Sequence, residues 1–301
     1  MDLNVINQVF SLLLMMAVGA LLRKRKIVND AVLKGFSETL MFVTLPFMIL
    51  YSFNFSFSRD MLANGIVMFC YSVAAHLFLI LLSQLLYWKF DASKKYIFHF
   101  STVFSNCGFI GFPLIFALYG KIGVFYTSIF VIAFNLFAFT YGIMLFTGRS
   151  SMKNMLKSLV NPPLIATFLG LLIFLFSIKL PSPILNTLET VGSMTTVLSM
   201  FIIGAMLADV SLKEVFKGLD VYYLSLIKLI VAPFLCYLLF VPFTTDTQVL
   251  AIAVILVAMP TASLGGVFAE KFNGNRAAIS RCTFLTTVLS MLTIPLVVSA
   301  L

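Results

Sequence analysis

The sequence predicts an all-α integral membrane fold: ten transmembrane helices arranged as two inverted five-helix repeats, with helices 4 and 9 broken. Three observations point there. The 301 residues are 61% hydrophobic and 10% charged, with a mean hydropathy of +1.08. About a quarter of a soluble domain is normally charged, so this chain lacks the charges to build a water-facing surface and lipid must cover most of its outside. Ten apolar windows reach or approach the roughly 20 residues needed to cross about 30 Å of hydrocarbon. The longest polar link between them divides the windows five and five.

The windows run 3–22, 35–55, 61–87, 96–119, 122–147, 161–178, 185–208, 219–241, 247–269 and 279–299. The first is not a secretory leader, because such a leader carries its positive charges ahead of its apolar core. Here Asp2 precedes the run and Arg23-Lys24-Arg25-Lys26 follows it. That reads as a membrane helix with its N-terminus outside. Lys and Arg fix the direction of the remaining windows, since they accumulate on the cytoplasmic side. With the N-terminus outside, sixteen of the 20 lie cytoplasmic: residues 23–26, Lys34, Lys89, Lys94, Lys95, Arg149, Lys153, Lys157, Lys213, Lys217, Lys271, Arg276 and Arg281. Arg59, Lys121 and Lys179 lie outside, and Lys228 falls within window 8. Ten crossings return the C-terminus to the outside of a cell (inner) membrane.

The link GRSSMKNMLKSLV (148–160) separates residues 1–148 from residues 161–301. Five crossings per half force the second half to enter from the opposite side, the inverted arrangement of many secondary transporters. Window 4 runs into PLIFALYGKIG (113–123) and window 9 into GGVFAEKFNGN (265–275), a weak internal similarity that fits such a repeat.

The formal charge of +9 would suggest nucleic acid in a soluble protein, but these cations sit in short clusters between apolar runs. Cys70, Cys107, Cys236 and Cys282 fall in or at the ends of apolar runs and read as buried small hydrophobes, with no disulfide framework. No nucleotide loop, metal-spaced His/Cys set or paired carboxylates occur, which argues against an enzyme and against a bound metal or cofactor. The 33 Phe read as lipid-facing bulk.

Windows 4 and 9 each carry a helix breaker among small and polar residues. The first is Ser105-Asn106-Cys107-Gly108-Phe109-Ile110-Gly111-Phe112-Pro113, and the second is Ala258-Met259-Pro260-Thr261-Ala262-Ser263-Leu264-Gly265-Gly266. Proline removes an amide donor and clashes with the preceding turn, while glycine lowers the cost of unwinding. In hydrocarbon the freed backbone groups must be buried in protein or face a wet cavity. Half-helix ends pointing at a cavity present amides and a partial positive charge, which favour an anion. A single proline is more readily a kink, as Pro46, Pro233 and Pro295 illustrate. Two breakers at matching places in both halves point to a site made of Asn106, Cys107, Gly108, Gly111, Pro113, Pro260, Thr261 and Ser263.

These segments resemble the auxin efflux carrier family, which includes plant PIN-type carriers and bacterial permeases linked to malate and malonate. GALLRKRKIV (19–28), TLPFMI (44–49), NCGFIGFPL (106–114), FNLFAFTYG (134–142), NPPLIATFLGLL (161–172), IIGAMLAD (202–209) and AMPTASLGGVFAEKF (258–272) follow the family's order over nearly the full length. The long loop of the plant carriers is replaced by residues 148–160, as in the short bacterial type. The resemblance implies a scaffold of helices 1, 2, 6 and 7, often a homodimer surface, and a moving domain of helices 3–5 and 8–10, in which the broken helices 4 and 9 are crossed. It also implies secondary transport of a small organic anion, with Asn106 matching the asparagine that faces the substrate carboxylate. Where the plant pattern has acidic and basic residues on helix 3, this chain offers only His76.

Other ionisable and polar residues in the windows have two readings each. Lys228 could attract the substrate anion or pair with a carboxylate, or it could snorkel to the interface. His76 could take up a proton with the substrate, or stay neutral and hydrogen-bonded. Asn135 could complete the site or make a plain interhelical hydrogen bond. His99, Glu38 and Glu189 read as interfacial anchors. A sodium- or proton-coupled carrier of another solute, and a receptor without flux, are the competing functions. Windows 4, 5 and 9 hold no central Asp or Glu to bind a cation.

Overall fold

The computed structural model describes residues 3–148, 161–209, 218–244 and 246–301. The link 149–160, with Arg149, Lys153 and Lys157, lies outside the described residues, as do Lys213 and Lys217.

Apolar runs without strand-period alternation fold as helices, and helical backbone falls on every one of the ten windows. In chain order the helices are α1 (Leu3–Lys24), α2 (Asp30–Ser52), α3 (Arg59–Leu86), α4 (Ala92–Val103), α5 (Cys107–Thr147), α6 (Pro162–Leu175), α7 (Ser182–Ala208), α8 (Leu219–Phe243), α9 (Thr247–Ala258), α10 (Leu264–Lys271) and α11 (Arg276–Ala300). Window 4 thus divides between α4 and the first part of α5, window 9 between α9 and α10, and α5 itself breaks at Gly120 (φ +59°, ψ −146°), where window 4 gives way to window 5. Six of the helices, α2, α3, α5, α7, α8 and α11, are long and apolar enough to cross a membrane. Among the described residues there is no strand, only one isolated bridge.

Local chemistry sets the helix ends. Asn29, Asn161, Asp246 and Asn275 each accept a backbone N–H from the first turn of α2, α6, α9 and α11, the donors that an N-terminus leaves without intrahelical partners. Gly148 closes α5 in the left-handed conformation, at φ +68°. Inside the long helices, prolines explain most of the irregularity. The π-turns Leu40–Thr44, Cys107–Gly111 and Ile227–Val231 each end two residues before a proline: Pro46, Pro113 and Pro233. The i−4 carbonyl that such a proline cannot serve falls inside the π-turn, where wider bonding absorbs the missing donor.

The chain forms two compact units. One comprises Met1–Val67, Gly108–Val131 and Leu159–Asp209; the other comprises Met68–Cys107, Ile132–Ser158 and Val210–Leu301. In the first, α7 packs on α1 and α2 through glycines. A Cβ on Gly204 would collide with the Met16 carbonyl, and one on Gly19 would lie 2.5 Å from the Phe201 carbonyl oxygen. Small residues let the backbones approach this closely, which is how helices associate where lipid and side chains are equally apolar. Arg23 ties the end of α1 to the start of α2 and the end of α7. It donates to Asp209 at 2.7 Å and to the Val28 carbonyl at 2.9 Å, and it pairs with Asp30. Asp209, then Asp30, raises the guanidinium further above its ordinary range.

In the second unit α9 is the central helix. Every residue from Val249 to Ala258 is buried, as befits a helix that is apolar on all sides. The expectation of lipid-facing phenylalanines is corrected here. Phe53, Phe100, Phe104, Phe112, Phe125, Phe130, Phe174 and Phe240 are among the largest fully buried side chains, while Phe10, Phe42 and Phe234 are exposed. Cys70 is exposed, unlike the other three cysteines. His99 is not an interfacial anchor: it is buried, with Nδ1 3.0 Å from the Tyr141 hydroxyl and 3.3 Å from Ser83 Oγ.

Candidate functional site

The site lies in the second unit, where the chain after α4 meets the chain after α9. At Phe104 the backbone turns extended (φ −102°, ψ 113°), and Met259, forced away from helix by the proline after it, does the same (φ −58°, ψ 147°). Ser105 and Thr261 then face each other as an antiparallel bridge. Asn106 donates its backbone N–H to the Pro260 carbonyl at 2.7 Å, and Ala262 donates to the Phe104 carbonyl at 2.9 Å. Side chains repeat the exchange: Ser105 Oγ donates to the Val257 carbonyl at 3.1 Å, and Thr261 Oγ1 donates to the Ser101 carbonyl at 3.2 Å.

These four bonds form two pairs with an exact exchange of partners. Ser105 and Thr261 are 156 residues apart, and adding or subtracting that offset turns each bond into its mate. The helices leading in, α4 and α9, are both 12 residues long. A local two-fold relation through the bridge accounts for all of this. It also meets the energetic demand of an interrupted helix in hydrocarbon, because each segment satisfies the groups that the other has freed.

The crossing departs from the two-fold relation in its charge. Lys228, on the π-turn of α8, has no accessible surface. Its Nζ donates to Ser105 Oγ at 2.7 Å and to the Thr102 carbonyl at 3.1 Å, near the C-terminal end of α4, where a cation is favoured by the helix dipole. Among the described residues Lys228 makes no ion pair. On the other side of the bridge a neutral group serves instead: Thr286 Oγ1 accepts the Thr261 N–H at 3.1 Å. Asn106 adds an amide, Nδ2 donating to Ser263 Oγ at 3.1 Å.

Of the residues predicted from sequence, Asn106, Pro260, Thr261, Ser263 and Lys228 are brought together here, and Cys107 follows directly, its N–H on the Ser105 carbonyl. Lys228 does not snorkel; it is bonded to the crossing. His76 is buried beside it in the same unit, Nδ1 2.6 Å from the Ser72 carbonyl and its ring stacked on Phe137 with Phe104 and Phe134 around it. Asn135 is buried one residue beyond Phe134. Gly108, Gly111 and Pro113 belong to the other unit. Pro113 is displaced from the break itself: it occupies the second position of the α-helical part of α5, eight residues past Ser105. The backbone donors also differ from expectation. The amides of Asn106, Cys107, Thr261 and Ala262 are consumed within the crossing rather than left pointing into a cavity. Ser105, Thr102 and Thr286 were not singled out from the sequence. Ser105 was legible in principle, since it stands opposite Thr261 once the two breakers are aligned.

A mostly helical chain with six membrane-length apolar helices among its described residues defines a multi-pass membrane protein. A family model described as "Membrane transport protein" matches residues 4–298, and the chain belongs to that family, the auxin efflux carriers that its motifs resemble. That family is one of membrane transport proteins rather than of enzymes. The chain is 29% identical over 205 residues to an "Uncharacterized transporter" of Methanocaldococcus jannaschii, an alignment that spans 65% of each chain. It is 24% identical over 209 residues to an "Uncharacterized transporter" of Methanothermobacter thermautotrophicus, spanning 68% of each.

Proposed function

We propose that the protein is a secondary transporter that moves a small organic anion, a mono- or dicarboxylate such as malate or malonate, by alternating access. The observation that carries this reading is Lys228. A cation held without surface exposure in a membrane-spanning helix costs about 2.5–3.5 kcal/mol on insertion scales. Two neutral acceptors compensate part of that cost and leave the positive charge unmatched, which a visiting carboxylate would neutralise. Asn106 stands on the same bridge and supplies a second, neutral donor once it exchanges Ser263 for solute.

Ten crossings in two inverted repeats are supported by the exchange relation at the bridge, which is what an internal two-fold between residues near 105 and 261 would produce. The scaffold-and-carrier division is supported for the outer helices by the two compact units, one holding α1, α2, α6 and α7 and the other α8 to α11, while α3 and α5 are divided between the two. We place the N- and C-termini outside an inner membrane on the distribution of Lys and Arg. The test is uptake of labelled malate, malonate and related acids into proteoliposomes. Saturable flux that falls at least tenfold in Asn106→Ala is the expected result; no saturable flux for any organic acid, in protein that is folded and correctly inserted, removes the proposal.

A further inference from the structure

Hydroxyl groups in the helices of this chain share a habit. Thr140, Thr147, Thr167, Ser225, Thr286 and Thr287 all donate to the carbonyl four residues earlier on their own helix. In lipid this is the simplest way to satisfy an O–H without a partner helix. Five hydroxyls of the first unit break the habit: Thr127 on α5, and four that fall on one pair of helices. Thr44 on α2 and Thr195, Thr196 and Ser199 on α7 have enclosed oxygens and no protein partner among the described residues. Thr44, Thr195 and Ser199 are each at most 1% exposed.

The packing register brings these groups to one place. Tyr51 donates its hydroxyl to Glu189, and a Cβ on Gly192 would lie 2.8 Å from the Met48 N and Cα atoms. Moving three residues back along α2 therefore moves three forward along α7, so the helices run antiparallel. One further turn, about 6 Å, sets Thr44 against Thr196. Thr195 and Ser199 share that face, because positions 192, 195, 196 and 199 follow the i, i+3, i+4, i+7 pattern. The backbone contributes an acceptor at the same level. The Leu45 N–H goes to the Leu40 carbonyl across the π-turn and Pro46 has no N–H, so neither usual helical donor reaches the Met41 carbonyl.

We propose that this α2–α7 seam is a built binding site for ordered water. The chemistry distinguishes water from an alkali cation. An alkali cation would bring a full charge that four neutral hydroxyls and a carbonyl cannot cancel, whereas water brings none. Water both accepts from the hydroxyls and donates to them and to the Met41 carbonyl. Buried waters characteristically make about three such bonds to groups that are otherwise unsatisfied. A dry seam would leave four polar groups uncompensated in a region where each could have turned back onto its own helix.

The test uses the full chain in detergent and in nanodiscs. Synchrotron hydroxyl-radical footprinting oxidises side chains beside bound water even where bulk solvent is excluded, and Met48, 2% exposed and one turn from Thr44, is the reporter. Met48 is expected to be oxidised in the native protein and protected at least threefold in Thr195→Val/Ser199→Ala. Thr195→Val, which keeps the shape and removes the hydroxyl, is expected to lower the melting temperature by several degrees, with less than additive loss in the double variant. An unlabelled Met48 in the native protein, or a Thr195→Val melting temperature above that of the native chain, would mean a dry seam and overturn the proposal. Stabilisation by sodium chloride over choline chloride that disappears in Thr195→Val would assign the site to a cation and overturn it equally. The native footprint decides the matter even if a variant fails to fold.

Discussion

Replacing Lys228 with methionine removes the charge from the crossing and keeps a flexible chain of similar length. Two opposing effects set the cost to stability. The bonds to Ser105 Oγ and the Thr102 carbonyl are hydrogen bonds from a charged donor, about 1.5–3 kcal/mol each. Against them stands the cost of holding the ammonium in the membrane, about 2.5–3.5 kcal/mol. The difference runs from about −0.5 to +3.5 kcal/mol in favour of the native lysine, so Lys228→Met should fold, with a melting temperature between native and about 10 °C lower. The effect on an anion is larger. A carboxylate about 4 Å from the ammonium gains about 4 kcal/mol at an effective dielectric near 20, an upper bound of roughly three decades in affinity before solute desolvation. Ligand-induced thermal stabilisation by the transported acid, and flux in proteoliposomes, should therefore fall at least tenfold in Lys228→Met. Lys228→Arg, which keeps the charge but not the shape, should retain part of both. A folded Lys228→Met protein whose flux and acid-induced stabilisation stay within twofold of native would refute the assignment of this charge to the solute.

The exchange relation at the bridge makes a paired prediction: Ser105→Ala and Thr261→Val each delete one of two related hydrogen bonds and should each lower stability by about 1 kcal/mol in denaturant or thermal titrations. Ser105→Ala should also reduce transport more than Thr261→Val, because only Ser105 holds Lys228. Gly204→Val forces a branched side chain into the Met16 backbone, and a loss of about 1–3 kcal/mol or outright misassembly of α1 on α7 should appear in the melting curve.

The spans were legible because lipid imposes length and apolarity directly on the sequence; apart from windows 4, 5 and 9, which the breaks divide differently, the windows and the helices differ only by a few residues at their ends. Pro260 announced the second break, and Met259 is extended for the reason its neighbour supplies. The cluster Ser105–Pro113 announced a first break but not its start at Phe104, since Pro113 lies well beyond it and the extended backbone there is fixed by pairing with Pro260 and Ala262. Burial was the least legible property. Inside a membrane, facing lipid and facing protein demand the same apolar residues, so Phe100 and Phe42 look alike in sequence although one is buried and the other exposed. The two readings of Lys228 differed only in where its amine ended, which depends on partners more than a hundred residues away. The structure places five of the nominated residues at one crossing and assigns three glycine and proline positions elsewhere.

The bridge also constrains how the molecule can be made. Ser105 emerges from the ribosome long before Thr261, and until the later segment arrives the Phe104 carbonyl and the Asn106 amide have no mates. The nascent first half must therefore wait in the bilayer with an open end, shielded by water, lipid headgroups or the insertion machinery. A chain cut short anywhere before residue 260 would carry that defect permanently, so quality-control proteases should remove such fragments even though all their earlier helices are sound.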